Sequence, residues 1–275
     1  MVHYSKNHDE IRDYFNQLNI PTDIPGFYDH PNFLAVENEN PFFLTNYARF
    51  VSTLTFDDNY LENARAKISI IVAELYKHMS IENQVGRCVD ISGILLRILE
   101  KENIWNYAVM GSLTVKFPAN TNLSDRYFWS VDTGQFFAGH AWICAPPFDV
   151  IDLAVRHQPY SENEVDYLPN YVMEEGMPEA KSEIIDIISP EVRNYFLLQG
   201  IPLAQQLEQV EPETPTFIKV FPARSVTVKG TTLKYIPIAA FANDGALEVI
   251  TNMNFQGKLP MQLYEEDILP KINEL

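Results

Sequence analysis

A cysteine at the start of a helical pattern is the first residue of this chain that could do chemistry. Cys88 follows Gly86 and precedes a run in which apolar residues recur every three or four positions, which predicts an amphipathic helix. That spacing places Cys88 in the first turn, where unpaired backbone N–H groups and the helix dipole favour an anion. Because the thiolate is the nucleophilic form of cysteine, the position favours a reactive thiol. The alternative is a small buried apolar residue, which free cysteines often are.

A histidine and an aspartate follow on a predicted β-hairpin. Two strand-like runs, 139–145 and 148–155, flank Pro146 and Pro147, which cannot continue a ladder. A turn centred on Pro146 sets His140 opposite Asp152, with Cβ atoms about 5 Å apart. A carboxylate on one imidazole nitrogen fixes the tautomer and leaves the other nitrogen to take a thiol proton. We therefore predict Cys88 as nucleophile, His140 as its base and Asp152 as the orienter, against the alternative of a surface cross-strand pair.

The same hairpin register excludes the other polar candidates. It pairs Trp142 with Val150 and Ile143 with Asp149, so Asp149 points to the face opposite His140. Cys144 shares the His140 face, but four residues of strand separate them by roughly 13 Å, beyond hydrogen-bond reach. We therefore predict that Cys144 packs and does not react.

Three further residues are candidates for an oxyanion hole or a substrate groove. Gln84 lies four residues before Cys88 and could donate its amide to a developing oxyanion, although a loop residue without that role is the commoner outcome. Trp129 and Trp142 could line a groove for an acyl substrate. Packing in the core is the more frequent fate of tryptophan.

The segment around Cys88 resembles the nucleophile segment of the transglutaminase-like superfamily of cysteine enzymes. The residues that carry this resemblance are Gly86, Cys88, Asp90, Leu95, Leu96, Arg97, Leu99, Ile104, Val109 and Gly111. The run from His140 to Ile143 is similar to that family's histidine strand, and Phe148 stands where the family often has a tryptophan before its aspartate. After Asp152 the family usually has a proline or a polar residue, whereas this chain has Leu153 and Ala154. The resemblance implies a papain-like core and chemistry through a thioester.

The remaining pattern predicts an α+β protein in which the helix bearing Cys88 packs on an antiparallel sheet. We divide it into an N-terminal helix and linker (1–42), a core of helices and sheet (43–159), an acidic helical segment (160–215) and a β-rich C-terminal segment (216–275). Within the last two we predict helices at 184–198 and 203–210, a linker at 211–215, a hairpin at 217–241, a strand at 247–251 and a closing helix at 263–272.

Composition limits the partners. The chain has 275 residues and a net charge of −17, so its surface repels nucleic acid and anionic membranes. No signal segment and no run of membrane-spanning length is visible, and two cysteines are too few for a disulfide framework, which together predict a cytoplasmic protein. No glycine-rich phosphate loop and no metal-ligand spacing occurs, so we predict no cofactor and no metal.

These observations predict cysteine-dependent acyl transfer on a peptide, protein or small amide substrate. They do not separate hydrolase or protease, deamidase and transglutaminase chemistry, because that choice depends on whether water or an amine reaches the thioester. Two alternatives stay open: a binding module that keeps the fold without catalysis, and an acyltransferase for a small acyl donor.

Overall fold

The computed structural model describes residues 4–82, 85–133, 135–136, 139–243 and 245–275. The helices are α1 (His8–Gln17), α2 (Pro31–Glu39), α3 (Leu44–Ser52), α4 (Asp58–Glu82), α5 (Cys88–Lys101), α6 (Glu162–Val165), α7 (Ile184–Ile187), α8 (Pro190–Leu198), α9 (Leu203–Val210), α10 (Thr214–Val220), α11 (Pro260–Leu263) and α12 (Leu269–Ile272). The strands are β1 (Tyr107–Lys116), β2 (Arg126–Phe128), β3 (Val131–Asp132), β4 (Gln135–Phe136), β5 (His140–Ala145), β6 (Phe148–Asp152), β7 (Val172–Glu175), β8 (Glu179–Ala180), β9 (Ala223–Val228) and β10 (Thr231–Phe241).

Eight of the strands form one antiparallel sheet, which gives the protein an α+β architecture. The order is β7-β6-β5-β1-β10-β9-β8, and β2 pairs with the second half of β1. Within this sheet His140 lies across from Gly111 on β1. A Cβ atom on Gly111 would approach the backbone oxygen of Ile236 to 2.0 Å and the ring of Trp142 to 2.8 Å. Only glycine therefore lets β10 and the indole pack this closely against β1.

The two faces of the sheet carry different cores. The larger cluster joins α1 to α5 and the C-terminal helices to sheet residues such as Ala141 and Ile143. The smaller cluster contains Trp142 and Tyr235 with neighbouring aliphatic residues. Because side chains alternate along β5, odd-numbered residues face the helices and even-numbered residues face the smaller core.

Several local predictions are confirmed. Helix α5 begins at Cys88 and buries the predicted apolar stripe. Asp57 and Asp58 precede an apolar helical repeat, which predicts one of them as the helix cap, and Asp57 caps α4 because its Oδ1 accepts a hydrogen bond from the Tyr60 backbone N–H at 2.8 Å. Ser189 and Pro190 interrupt the helical pattern at 184–198, since proline breaks or starts a helix, and they separate α7 from α8. Each of these features depends on residues within one or two turns of chain, which is why the sequence pattern predicts them.

Two β predictions were wrong. Residues 214–220, predicted as linker and strand, form α10, which has Pro215 in its first turn, where proline is tolerated because its missing N–H has no partner there. Phe217 and Phe221, four residues apart, stack with ring centroids 4.5 Å apart, a contact typical of one helix face. The predicted strand at 247–251 is a short 3₁₀ turn, Leu247–Val249.

The acidic segment also contains structure that its composition does not predict. Its residues Val172–Glu175 and Glu179–Ala180 form β7 and β8, which occupy the two ends of the sheet. Strands from the core, the acidic segment and the C-terminal segment therefore pair in one sheet. Among the described residues, none of the helices combines the length and the apolar character that crossing a membrane requires.

Candidate active site

Cys88 is the first residue of α5 and is 5 % exposed. The preceding Arg87 makes no side-chain cap, so its side chain leaves the first backbone N–H groups of the helix available to another acceptor. Arg87 instead pairs with Asp90 at 3.1 Å and donates to the backbone oxygen of Asn252 at 2.8 Å. These contacts hold the entry to α5 against the C-terminal segment.

His140 and Asp152 form a fully buried pair. His140 Nε2 lies 2.6 Å from Asp152 Oδ2, and neither side chain is exposed. Because a carboxylate can only accept, Nε2 carries the hydrogen. Asp152 accepts two further hydrogen bonds, from the Ala154 backbone N–H at 2.9 Å and from the Tyr235 hydroxyl at 2.9 Å. Three donors thus fix the carboxylate, and the carboxylate fixes the imidazole.

The second ring nitrogen of His140 is the one left for the thiol. Among the described residues, Nδ1 makes no conventional hydrogen bond. Burial alone would lower the pKa of His140, but the charge and hydrogen bond of Asp152, together with the adjacent Cys88 thiol, outweigh it and raise the pKa to about 10. The imidazolium form is therefore favoured at neutral pH, next to a sulfur atom that can carry the opposite charge.

The register of the hairpin differs from the prediction. Ile143 pairs with Ile151, not Asp149, and Ala145 pairs with Phe148 across the Pro146–Pro147 turn. The turn centre lies between Pro146 and Pro147, which shifts the pairing by one residue, and a bulge in β6 adds a second one-residue shift. Continuing this register puts His140 diagonal to Asp152, not opposite it. Each one-residue shift moves a side chain to the other face of the sheet, so two shifts return Asp152 to the face that carries His140. The diagonal contact between these two side chains is still within reach.

Tyr235 is the site residue that the sequence did not reveal. It lies on β10, opposite Leu113 of β1, and its hydroxyl binds the same Asp152 oxygen as His140 does. The Tyr235 ring packs 5.2 Å from Trp142 and 6.2 Å from His140. No local pattern connects residues this distant in sequence, because their contact depends on the order of strands in the sheet.

Replacing Tyr235 by Phe is expected to loosen Asp152 without creating a cavity. The loss of a hydrogen bond to a charged group should cost about 1.5–3 kcal/mol in unfolding free energy. Alkylation of Cys88 should also slow, by roughly 3- to 10-fold, because the imidazole loses part of its orientation. Both are measured in the purified variant, with Tyr195→Phe, at an exposed tyrosine, as the control. A loss of stability with unchanged Cys88 reactivity would show that Tyr235 only supports the fold.

The other predicted residues occupy different places. Gln84 lies outside the described residues. Trp142 is 2 % exposed and packs between the rings of His140 and Tyr235. Trp129 is half-buried, stacks on Tyr127 at 5.6 Å and donates to the backbone oxygen of Ile185. Trp129 also lines a cleft of about 290 Å³ that reaches Gly139, next to His140.

Cys144 differs chemically from Cys88. Both cysteines are free thiols. Burial, together with the nearby Asp149 carboxylate, raises the pKa of Cys144 to about 12 despite its hydrogen bond with Tyr107. Cys144 therefore stays protonated at neutral pH, as expected for a packing residue.

Within the described residues, no group of three or more histidine, cysteine or acidic side chains is placed to hold a metal ion. No family model, no curated protein and no solved structure matches the chain.

Proposed function

We propose that this chain is a cysteine-dependent acyl-transfer enzyme built on a transglutaminase-like, papain-like core. One observation carries the proposal: Cys88, at the start of α5, interacts with the imidazole of His140, whose Nε2 lies 2.6 Å from Asp152 and whose Nδ1 has no other hydrogen-bond partner among the described residues. This is the geometry that an imidazole needs in order to exchange a proton with a sulfur nucleophile.

The proposed reaction has two acyl transfers. The Cys88 thiolate adds to the carbonyl carbon of an amide or ester, and the oxyanion accepts hydrogen bonds from backbone N–H groups at the uncapped start of α5. The imidazolium of His140 then gives its proton to the leaving nitrogen or oxygen, which leaves a thioester on Cys88. Neutral His140 next takes a proton from water or an amine as it attacks the thioester, and the thiolate departs. The Asp152 carboxylate stabilises the imidazolium and holds its orientation.

The surroundings of the site support a defined path for the substrate. Of the three residues, only Cys88 retains exposed surface. The cleft of about 290 Å³ that reaches Gly139 is lined by Tyr127, Phe128 and Trp129, and the Phe128 ring lies 6.4 Å from the His140 ring. We assign this cleft to the acyl or leaving group of a peptide, protein or small amide substrate.

A small activated ester tests the proposal without knowledge of the natural substrate. With p-nitrophenyl acetate, we expect a burst of about one p-nitrophenolate per protein molecule and an acetyl thioester on Cys88 in the intact mass and the peptide map. Cys88→Ala should abolish both, whereas Cys144→Ala should leave both unchanged. Equal release from Cys88→Ala and the parent protein, or acetylation at Cys144 alone, would contradict acyl transfer at this site.

Burial of the site favours a second candidate, the binding module. His140 and Asp152 have no exposed surface, which is also what a retained structural pair would show. In that case Cys88 would form no acetyl thioester and would react no faster than Cys144.

A further inference from the structure

A second and larger cleft lies between α3, the Pro146–Pro147 turn and the sheet face that carries Trp142. Its volume is about 400 Å³, which falls within the range of small-molecule sites, roughly 300–1,000 Å³. Trp142 and Tyr235 form part of its wall, and the same two residues pack against His140 on their other side. The cleft is therefore separate from the Cys88 site but shares two of its supporting residues.

Aromatic side chains form one part of the wall of this cleft, beside polar and charged residues. Tyr107, Phe148 and Phe221 line it together with Trp142 and Tyr235. Rings arranged around a cavity of this size favour a flat apolar ligand, because aromatic pairs stabilise edge-to-face and offset contacts. Without a polar anchor, such a wall would accept many apolar molecules.

Arg49 supplies the polar anchor. Arg49 is one of the residues that line the cleft and is 8 % exposed. Nε donates to the Ser5 backbone oxygen at 2.5 Å and one terminal nitrogen to Ser52 Oγ at 3.2 Å, so hydrogen atoms on the terminal nitrogens remain. Within the ranges that the structure describes, Arg49 has no carboxylate partner in an ion pair.

A buried arginine without a counter-ion is unusual. Burial lowers the pKa of Arg49, and buried charges are normally paired because of the cost of removing them from water. The chain has 37 acidic and only 20 basic residues, so carboxylates for such a pair are abundant. The second arginine of the cleft, Arg224, lies 4.0 Å from Asp149, at the outer limit of an ion pair. The carboxylates of Asp149 and Glu179 line the same cleft, and Asp149 is the one near Arg224. Arg49 is therefore the arginine of this cleft that has no carboxylate within ion-pair distance among the described residues.

We propose that this cleft binds a small aromatic carboxylate, with its carboxylate on the guanidinium of Arg49 and its ring among Tyr107, Trp142 and Phe221. Planar guanidinium groups bind carboxylates through two parallel hydrogen bonds. The cleft has space for the ring, and the ligand would supply the negative charge that Arg49 lacks. This inference does not depend on acyl transfer at Cys88, because its readout is binding.

Calorimetric titration with 3-phenylpropionate, compared with the uncharged 3-phenylpropionamide, tests the proposal. We expect the carboxylate to bind at least about tenfold more tightly than the amide, the effect of a hydrogen bond to a charged group. Arg49→Gln should remove this preference, whereas Arg193→Gln, the same change outside the cleft, should keep it.

Arg49 also donates hydrogen bonds to Ser5 and Ser52, so replacing it changes the local structure as well as the cleft. A second variant therefore changes the cleft and leaves Arg49 in place. Val220 lines it from the end of α10, and Val220→Trp should fill the space and abolish binding while Arg49 keeps its contacts. Equal affinity for the carboxylate and the amide, absence of binding at millimolar concentration, or unchanged binding by Val220→Trp would each overturn the proposal.

Discussion

Replacing His140 by Ala is expected to slow the alkylation of Cys88 by iodoacetamide by at least about tenfold near pH 6.5. In the parent protein, the pKa of His140 is raised to about 10, so a positive imidazolium lies beside the sulfur and, in the proposed mechanism, stabilises the negative charge of the nucleophile. Without the imidazole, a thiol with an ordinary pKa of about 8.5 is only about 1 % ionised at that pH. The resulting factor of about 100 is reduced because a thiolate of low pKa is intrinsically a weaker nucleophile.

The alkylation rate of Cys88 should also depend on pH differently in the parent protein and in His140→Ala. In the proposed thiolate–imidazolium pair, protonated His140 stabilises the nucleophile, so we expect the parent rate to be nearly level from about pH 6.5 to 9 and to change only as His140 deprotonates near its raised pKa. In His140→Ala, the rate should instead rise about tenfold per pH unit until the thiol ionises. Mass spectrometry follows Cys88 and Cys144 in the same sample. Cys144 is the internal reference, because burial raises its pKa to about 12.

A nearby histidine provides the matched control. His157 is also buried, at 7 % exposed, and its backbone oxygen accepts from the Gly86 N–H at 2.8 Å, close to Cys88 in the chain. Burial lowers the pKa of His157, so it stays neutral and cannot offer a positive charge to the thiolate. His157→Ala should therefore leave the Cys88 rate within about threefold of the parent. Equal effects of the two substitutions, or a Cys88 rate no higher than that of Cys144, would contradict the thiolate–imidazolium pair.

The parts of this site that the sequence predicts are those set by short-range geometry. A cysteine ahead of a three-and-four-residue apolar repeat must lie at a helix start, and α5 begins at Cys88. Two prolines between β-rich runs must form a turn, and β5 and β6 flank it. Both features depend on the intrinsic periods of helix and strand, which are properties of the local chain.

The parts that the sequence does not predict depend on pairing across the sheet. The bulge in β6 moves Asp152 relative to His140, and nothing in the run from Phe148 to Asp152 indicates an extra residue there. Tyr235 reaches Asp152 because β10 lies beside β1, a neighbour relation fixed by the whole set of strands. The predicted contact survived the wrong register only because two single-residue shifts preserve parity. Parity is therefore a more robust prediction than the register itself.

Arg97→Met is expected to lower the free energy of unfolding by about 3–5 kcal/mol, the cost of breaking a buried ion pair by removing one partner. Arg97 is 3 % exposed and lies on α5, nine residues after Cys88. It donates to Asp29 at 2.5 Å and 3.0 Å, to Glu100 at 3.0 Å and to the Asn243 backbone oxygen at 2.6 Å. It therefore connects the helix of the nucleophile to two other segments.

The pH dependence of the unfolding free energy lost in Arg97→Met shows whether the unpaired Glu100 carboxylate causes that loss. Burial raises the pKa of Glu100 to about 7, although the charge of Arg97 lowers it, so the pKa should rise further without Arg97. Below about pH 6, Glu100 is neutral in both folded proteins and the loss should be smallest. Above pH 7, the parent carries an ionised, paired Glu100, whereas the variant must either ionise it unpaired or keep it protonated. The loss should therefore grow with pH in urea unfolding.

A double variant distinguishes the effect of an unpaired Glu100 carboxylate on stability from the effect of lost packing around Arg97. Arg97→Met with Glu100→Gln leaves only Asp29 without its partner, and Asp29 is half exposed. The loss of unfolding free energy relative to Glu100→Gln should therefore be smaller and nearly independent of pH around pH 7. Arg12→Met is the surface control, because Arg12 and Asp9 are 49 % and 70 % exposed and such pairs contribute about 0–1 kcal/mol. A loss that is equal on both sides of pH 7 would show that Arg97 acts through packing and its bonds to Asp29 and Asn243. In either case the position of α5, and with it that of Cys88, depends on contacts far from the catalytic residues.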